Sequence, residues 1–416
     1  MPLARSERDV SVLAAKTATK LDLHRFPARN EFDVTYLDHN ATSPLLPQAR
    51  TAWLEAEDQF PGNPSSPHRL GARADNALDQ ARERLAALLG CAAHGLVWTG
   101  GATEACNTVL HHIAATGDQN APVWISAIEH PAVLETARHY FRDRLEMIPV
   151  DRRGVADLEW LRLRLAQVRP ALVALMAANN ETGVLQPWRE ARALCAAAGI
   201  PFFCDATQWC GRLPSAQLGA CDFVAGSAHK FGGPRGVGFL KCPDKGPLTP
   251  MLYGGKQQDR RRAGTENVPG VIAMLAALEW CERQLAVSAE IPRCAYRDRF
   301  ERELALALPG IAINGAGAER LWNTVSVVMP DADCRQRWVV KLDKAGFAVS
   351  TGSACASGSE HPSHVLTAMG LARDAGRVLR ISSGWATTED AWAALLQAMI
   401  RIHPEMAASG SSAGIK

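Results

Sequence analysis

Phe223-Val224-Ala225-Gly226-Ser227-Ala228-His229-Lys230 is an apolar run that leads directly into a polar end. An earlier run, Pro201-Phe202-Phe203-Cys204, ends in the same way at Asp205. Short apolar runs bounded by polar residues are typical of buried strands. We therefore expect Asp205 and Lys230 at the carboxyl ends of parallel strands, which is where α/β proteins build their sites.

An aspartate and a lysine in such positions suit a pyridoxal phosphate ring. The carboxylate of Asp205 would bind the pyridinium nitrogen, and the amine of Lys230 would join the aldehyde carbon as a Schiff base. The competing interpretation is a solvated Lys230 and an Asp205 that caps a turn. Other features of the sequence have to decide between the two.

The composition is that of a globular protein, with 416 residues, 47% hydrophobic and 21% charged content. A net charge of +2 and the lack of a basic stripe with interleaved aromatics give no indication of nucleic-acid binding. The longest apolar runs, such as residues 171–178, are far shorter than the roughly 20 residues that cross a bilayer. We expect neither nucleic acid nor membrane as a partner.

Two features bear on the compartment. Residues 1–34 mix basic with acidic side chains and lack an uninterrupted apolar stretch, so they predict an N-terminal extension and not a secretory signal. The 11 cysteines show no C-x-x-C spacing. That pattern favours free thiols in a reducing, cytoplasmic location.

The order of the segments predicts an α/β fold. Strand-like runs alternate with helical patterns through the middle of the chain, which indicates βαβ units and a mostly parallel sheet flanked by helices. After residue 240 a loop rich in Gly, Arg and Gln leads into a long helix, and the remaining segments predict a smaller α+β domain. The predicted divisions are an extension (1–34), a small-domain segment (35–50), a large cofactor-binding domain (51–288), a small C-terminal domain (289–405) and a disordered tail (406–416).

A glycine turn lies between a strand-like run and a helical one at Thr99-Gly100-Gly101-Ala102-Thr103-Glu104. Glycines at such a turn let backbone N–H groups approach a phosphate at the positive end of the helix. The alternative is a capped turn without a ligand. A Walker A loop is excluded because the G-K-[ST] ending is absent.

Three further polar side chains accompany predicted strands. His130, after the strand that ends near Ile125, could stack on a cofactor ring or move a proton, and the alternative is a surface histidine. Asn180 offers an amide for a phenolic oxygen or a carboxylate, and an Asx turn is the alternative. Arg380 lies in an apolar strand and suits a substrate carboxylate, with an internal salt bridge as the competing view.

Cys355 differs from the other ten cysteines, which we expect to be small buried side chains. It lies in a segment of Gly, Ser and Ala between residues 350 and 359, a composition that predicts an exposed, flexible loop. A thiol on such a tether suits a carrier. His361 and His364 follow without an obvious third ligand, so we predict no metal site.

Taken together these stretches resemble the pyridoxal phosphate-dependent cysteine desulfurases, the NifS/IscS-like branch of the class V aminotransferase family, which has PLP fold type I. The resemblance covers about residues 35 to 400. Besides the Cys355 segment and Arg380 it comprises Tyr36-Leu37-Asp38-His39-Asn40-Ala41-Thr42, Gly62-Asn63-Pro64-Ser65-Ser66, Gly101-Ala102-Thr103-Glu104, Asn179-Asn180-Glu181, Asp205-Ala206-Thr207-Gln208, Ser227-Ala228-His229-Lys230 and Arg262-Ala263-Gly264-Thr265-Glu266-Asn267.

The resemblance implies a role for each candidate. Lys230 would form the Schiff base, Asp205 would pair with the ring nitrogen, and His130 would stack on the ring and take part in catalysis. Gln208 and Asn180 would flank the phenolic oxygen and the substrate carboxylate, which Arg380 would bind. The phosphate would be held by Ala102, Thr103, Ser227, His229 and, from the other subunit of a homodimer, Thr265.

The implied reaction removes sulfur from L-cysteine and gives L-alanine and a persulfide on Cys355. A sulfur-acceptor protein of iron-sulfur assembly or of another thiolation pathway would then take the sulfur. The longer extension before Tyr36 and the early end of the chain leave the acceptor open. The alternatives are a selenocysteine lyase of the same fold, an aminotransferase, against which Cys355 argues, and a non-catalytic scaffold protein, which would need lost chemistry.

Overall fold

A computed structural model describes residues 34–244, 247–287, 293–330, 337–352 and 362–411. The chain divides into two units, residues 1–34 and 35–416, and the second is described below. Most of the predicted extension, together with Cys355, His361 and residues 412–416, lies outside the described residues.

The strands are short, and most of them are buried along their whole length. Their bounds are β1 Thr35–Tyr36, β2 Leu96–Thr99, β3 Val123–Ser126, β4 Leu145–Ile148, β5 Leu172–Ala174, β6 Phe202–Asp205, β7 Phe223–Ser227, β8 Gly238–Lys241, β9 Ala312–Ile313, β10 Thr324–Val328, β11 Phe347–Ala348 and β12 Val378–Ser382.

The helices have the following bounds: α1 Pro47–Gln59, α2 Arg69–Leu89, α3 Ala102–Thr116, α4 Pro131–Phe141, α5 Leu158–Leu165, α6 Trp188–Ala198, α7 Val268–Val287, α8 Cys294–Ala307, α9 Arg337–Lys344, α10 His364–Ala368 and α11 Glu389–Ser411. The last helix continues to Ser411, through residues that the composition predicted to be part of a disordered tail.

The main sheet has seven strands in the order β2-β8-β7-β6-β5-β3-β4. The β4-β3-β5-β6-β7 strands are parallel, and β8 runs antiparallel to both of its neighbours. Every residue of β6 and β7 is buried because helices cover both faces of the sheet, as is usual for parallel sheets. The predicted mostly parallel α/β fold is confirmed.

Two apolar cores lie on the two faces of this sheet. One includes buried residues of α2, α6 and α7, and the other is built largely from α3, α4 and the facing strands. Helix α2 shows how local sequence sets an element's ends, since His68 accepts the N–H of Gly71 at its start. Gly90 ends it with φ 74°.

A smaller sheet, β12-β10-β9, is antiparallel and packs with α8, α9 and α11 around a separate core. Strand β1 pairs in parallel with β11, and Leu37 belongs to this core. The residues after Leu37 lead back to the main sheet, where the N–H of Ser43 donates to His229 O at 2.7 Å. These residues, 38–43, are called the connecting segment below, and they bring parts of both sheets together at one place.

Candidate active site

A cavity of ≈ 630 Å³ lies where β6 and β7 end and α3 begins. Nine of the residues predicted from the sequence line it: Ala102, Thr103, His130, Asn180, Asp205, Gln208, Ser227, His229 and Lys230. They come from five separate segments of the chain. The parallel sheet assembles them because its strands end at a common edge.

Asp205 is the last residue of β6 and is 5% exposed. Its Oδ1 accepts the N–H of Thr207 at 3.0 Å and also the Thr207 hydroxyl. A carboxylate held by local donors keeps its orientation, and Asp205 presents its side chain to the cavity. This position suits the nitrogen of a bound heteroaromatic ring.

Lys230 ends the short 3₁₀ turn that follows β7. Its Nζ donates to the main-chain oxygens of Asn40 at 2.7 Å and Ala41 at 2.8 Å. The carbonyl oxygen of Lys230 itself accepts from the Ser43 hydroxyl at 3.0 Å. The lysine is thus fixed on both its main chain and its amine by the segment that connects the two sheets.

The start of α3 forms the anion-binding end of the cavity. Gly101 precedes the helix with φ 146°, and no side chain caps the first N–H groups. A Cβ at Gly238 would come within 2.7 Å of the Gly101 Cα, so the backbones approach closely there. Free N–H groups at the positive end of a helix are suited to a phosphate.

His229 lies beside this end and lines the cavity with Ser227. Its Nδ1 is 3.1 Å from the Thr42 hydroxyl oxygen. Burial, together with the nearby cations Lys230, Arg235 and Arg212, lowers the pKa of His229 to about 4. A neutral imidazole in this position can bind a phosphate only through a ring N–H, not as a cation.

His130 is the N-cap of α4, and its Nδ1 accepts the N–H of Ala132 at 3.1 Å. Burial lowers the pKa of His130; Asp205 opposes this shift, whereas Lys230 adds to it. The neutral ring therefore carries its proton on Nε2, because Nδ1 is occupied as an acceptor.

Gln208 and Asn180 line the cavity from two different loops. Gln208 Nε2 donates to Asn40 O at 3.0 Å, and its Oε1 is buried without a hydrogen-bond partner among the described residues. An orphaned buried amide oxygen is costly unless a ligand or water satisfies it. Together with Asp205, Lys230 and the anion-binding start of α3, this unpaired Gln208 oxygen shows that the residues of the cavity fit pyridoxal phosphate.

Arg380 and Thr265 do not line this cavity. Arg380 is 1% exposed, forms an ion pair with Asp38 Oδ1 at 2.7 Å, and donates to the main-chain oxygens of Gly352 at 2.7 Å and Asn180 at 3.1 Å. Its Nε is buried and has no partner among the described residues. Thr265 is exposed.

Sequence reasoning assigned no role to several residues around the cavity. Arg235 lines it from the turn Gly232-Gly233-Pro234-Arg235-Gly236, and a cation inside a glycine-proline turn directly after Lys230 was an available signal. Glu104 also lines it and accepts the N–H of Gly100 at 2.7 Å. Arg262, a distant residue, donates to Glu104 at 2.9 Å, a contact that no local pattern shows.

Comparisons with known proteins identify the relatives of this chain. The class-V aminotransferase family profile matches residues 35–395. A protein of Rhodobacter capsulatus named cysteine desulfurase is 40% identical over 380 residues, covering 90% of this chain and 96% of the relative.

Two solved structures extend the similarity to three dimensions. A NifS-like protein superimposes with a TM-score of 0.81 at 30% identity, covering 89% of this chain and 100% of the other. A structure described as SspA in complex with cysteine gives a TM-score of 0.71 at 28% identity, with 83% and 98% coverage. By its sequence, its fold and the residues of its cavity, this chain belongs to the class-V aminotransferase family.

Proposed function

We propose that the protein is a cysteine desulfurase that uses pyridoxal phosphate to convert L-cysteine into L-alanine and protein-bound sulfur. The observation that carries this proposal is the cavity in which Lys230 and Asp205 lie together with an uncapped helix start. Pyridoxal phosphate is the cofactor of this family. The function named for the relatives is the one that this set of residues supports best.

When bound, pyridoxal phosphate supplies an electron-withdrawing ring that loosens the bonds at Cα of an attached amino acid. Asp205 would accept a hydrogen bond from the ring nitrogen and keep it protonated. The N–H groups of Ala102 and Thr103, with Ser227 and His229, would hold the phosphate at the start of α3. Asn180 and Gln208 would orient the phenolic side of the ring.

Lys230 would act as the base that takes the proton from Cα of the substrate and later returns it. His130 would stack on the ring, and its neutral form holds a proton at Nε2 that it can donate. Burial supports this role because it lowers the pKa of His130 and so favours the neutral ring.

Arg380 would bind the substrate carboxylate through its guanidinium. Its orphaned Nε supports this role because a buried donor without a partner is unfavourable until a ligand accepts from it. The ion pair with Asp38 is the alternative that the sequence left open, and both can hold if the substrate carboxylate accepts from Nε.

Cys355 would receive the sulfur. Its thiolate sulfur would bond to the sulfur of L-cysteine while the bond from that sulfur to Cβ breaks, and the carbon would then take a proton to give L-alanine. The product on the protein is a persulfide, so one cysteine thiol and one substrate yield one persulfide and one alanine. The residue lies outside the described structure, and its role rests on the Gly, Ser and Ala composition of its segment.

Further parts of the proposal concern the oligomeric state, the domain boundaries and the protein that accepts the sulfur. An exposed Thr265 that avoids its own cavity supports a homodimer in which it completes the partner's phosphate site. Separate cores support a large domain of residues 51–288 and a small domain of residues 289–405, to which the segment 35–50 belongs. A sulfur-acceptor protein would follow in the pathway.

The cysteines support a reducing, cytoplasmic location. All nine cysteines that the structure describes are free thiols. No helix in the described part of the chain combines the length and apolar character needed to span a bilayer. Within those same residues no group of three or more potential metal ligands occurs.

The proposal is tested on purified full-length protein incubated with L-cysteine. We expect a yellow protein that forms alanine, and mass spectrometry should place one extra sulfur atom on the peptide that contains Cys355. Cys355→Ala should keep the colour and lose the persulfide. Cys294→Ala, which removes a partly exposed thiol of the described chain, serves as the matched control and should keep both.

Three results would contradict parts of this proposal. A colourless protein that takes up no added pyridoxal phosphate would exclude the cofactor. Turnover by the Cys355→Ala variant with a thiol acceptor would exclude the carrier role. Release of selenide from selenocysteine without any sulfur removal from L-cysteine would favour a selenocysteine lyase.

A further inference from the structure

The amine of Lys230 points at two main-chain oxygens, those of Asn40 and Ala41, at 2.7 and 2.8 Å. An ammonium has three donor hydrogens and no acceptor, so such a pair of carbonyls binds the charged form of the amine better than the neutral form. These oxygens belong to the segment that connects the two sheets. The contact is therefore built by tertiary structure and not by the turn in which Lys230 lies.

Several hydrogen bonds hold this segment against the lysine turn. The N–H of Ser43 donates to His229 O at 2.7 Å, and its hydroxyl donates to Lys230 O at 3.0 Å. The hydroxyl oxygen of Thr42 lies 3.1 Å from Nδ1 of His229. The carbonyls that face the amine therefore cannot move independently of the lysine.

The side chain of Asn40 fixes the direction of these carbonyls. It is 1% exposed, and its Nδ2 donates to the Thr324 hydroxyl at 2.9 Å and to Asn180 O at 3.2 Å. Its Oδ1 accepts from Asn323 at 3.2 Å. Both donor hydrogens and the acceptor of one buried amide are used, which leaves the side chain a single orientation.

The main-chain N–H of Asn40 adds a fourth anchor, a hydrogen bond to the Ser382 hydroxyl at 3.0 Å. The Asn40 carbonyl also accepts from Gln208 Nε2 at 3.0 Å. One residue thus links the smaller sheet, the Asn180 and Gln208 loops of the cavity, and the amine of Lys230.

We propose that the carbonyls of Asn40 and Ala41 are the acceptor site for the ammonium of Lys230 and that Asn40 is the positioning residue of this site. The inference rests on the proposed function of Lys230 as the base. Once Lys230 has taken the Cα proton, its new charge meets two oxygens already in place, so little reorganisation accompanies proton transfer. The same contact holds the amine when no cofactor is bound.

The first test measures the reactivity of the amine in cofactor-free, full-length protein. Acetic anhydride acetylates only the neutral, accessible form of an amine, and mass spectrometry gives the rate at each lysine. Asn40→Ala should speed acetylation of Lys230 by roughly tenfold, because a hydrogen bond to a charged group is worth that factor or more. Thr324→Val, which removes one partner of Asn40 while keeping the shape of the side chain, should give a smaller increase.

The protein contains its own references. Lys241 donates to Cys221 O at 2.7 Å in a contact remote from Asn40, and Lys344 is exposed, so both rates should stay unchanged. Asn314→Ala is the matched control variant. Asn314 directly follows β9, and its buried amide donates to the Ser326 hydroxyl. Among the described residues it has no hydrogen bond to the connecting segment.

A second readout uses the holoenzyme with L-alanine in deuterated water, where exchange of the Cα hydrogen follows proton transfer alone. Asn40→Ala should lower kcat for exchange and leave KM nearly unchanged, because the charge on Lys230 appears only as the proton moves. An increase in KM alone would overturn the proposed role. Unchanged acetylation of Lys230 in Thr324→Val and in folded Asn40→Ala would overturn the contact itself.

The two readouts separate this inference from the proposed function. Faster acetylation in a protein that forms no alanine from L-cysteine would confirm the acceptor site and contradict the desulfurase. A working desulfurase whose Lys230 is acetylated at the same rate in all variants would contradict the acceptor site only.

Discussion

Asp205 and Arg380 are both charged residues of apolar strands, but their environments differ. The side chain of Asp205 accepts hydrogen bonds from Thr207, which lies two positions further along the chain. The same side chain lines the cavity. Arg380 is held by residues from three distant segments, Asp38, Asn180 and Gly352, and lies outside the cavity lining.

The difference teaches how a buried charge can serve either chemistry or architecture. A charge in a protein interior needs partners, because its transfer from water is otherwise very unfavourable. The hydrogen bonds from Thr207 occupy Oδ1 of Asp205 and leave the rest of the carboxylate available to a ligand. Long-range partners use most donors of Arg380, which makes that residue a connection between segments as well as a candidate for substrate binding.

The largest effect should come from Lys230→Ala. Removal of the amine takes away both the group that attaches the cofactor covalently and the base. We therefore expect no yellow colour from covalently attached cofactor and no measurable alanine formation. Absorbance spectra and alanine assays check this. Yellow colour that survives dialysis in this variant would show that another lysine is the anchor.

Asp205→Asn tests the chemical side of the comparison. The amide keeps the shape and can still accept from Thr207, but it no longer holds a proton on the ring nitrogen. We expect kcat to fall by roughly 10²–10³, the usual cost of losing one electrostatic contact in a site, while the fold is retained. Steady-state kinetics and circular dichroism provide the measurement, and unchanged kcat would contradict the assignment.

Asp38→Asn tests the architectural side. Loss of the negative partner leaves the buried guanidinium of Arg380 undercompensated, so the free energy of unfolding should fall by about 1–3 kcal/mol. Glu159→Gln, in the exposed pair with Arg162 at 2.5 Å, is the control and should leave the free energy of unfolding nearly unchanged, because solvent screens an exposed ion pair. Urea unfolding measures the loss of stability in both variants. Equal losses would show that the ion pair of Asp38 and Arg380 stabilises the fold no more than an exposed pair does.

The last prediction concerns buried histidines that stay neutral in the folded protein. Burial lowers the pKa of His39 to about 4, with Arg212 adding to the shift, and the pKa of His229 is also about 4. Between pH 4 and 6.5 the unfolded chain binds protons that the folded chain does not, so the stability they confer is present above pH 6.5 and is lost as the pH falls.

We therefore expect the free energy of unfolding to rise with pH in that window, by up to about 1.4 kcal/mol per pH unit for each such histidine. His39→Asn should flatten the dependence. Urea midpoints measured from pH 4 to 7 check the slope. A variant with the same slope as the original protein would show that His39 does not contribute.

Much of the fold followed from local patterns. The runs that end at Asp205 and Ser227 are strands with nearly the predicted bounds, and the long helix predicted after residue 240 is Val268–Val287. Strand β5 ends at Ala174. The N–H groups of Leu175 and Ala177 still donate to β6, so pairing continues where regular strand geometry does not.

The residues around Lys230 show where such patterns stop. Periodicity and glycine turns act over a few residues, so they identified the ends of β6 and β7 and the start of α3. The contacts of Lys230 with Asn40 and Ala41 span about 190 positions and depend on how two sheets pack. No pattern within the lysine segment contains that information.

By itself the sequence determined the α/β class, the strand ends that bear Asp205 and Lys230, and the family, because hydrophobic periodicity and ordered motifs are local properties of a chain. Tertiary structure alone decided that Arg380 pairs with Asp38 and that two main-chain carbonyls receive the amine of Lys230. Buried charges select their partners from whatever the packed chain brings within hydrogen-bond reach, and only the fold sets that distance.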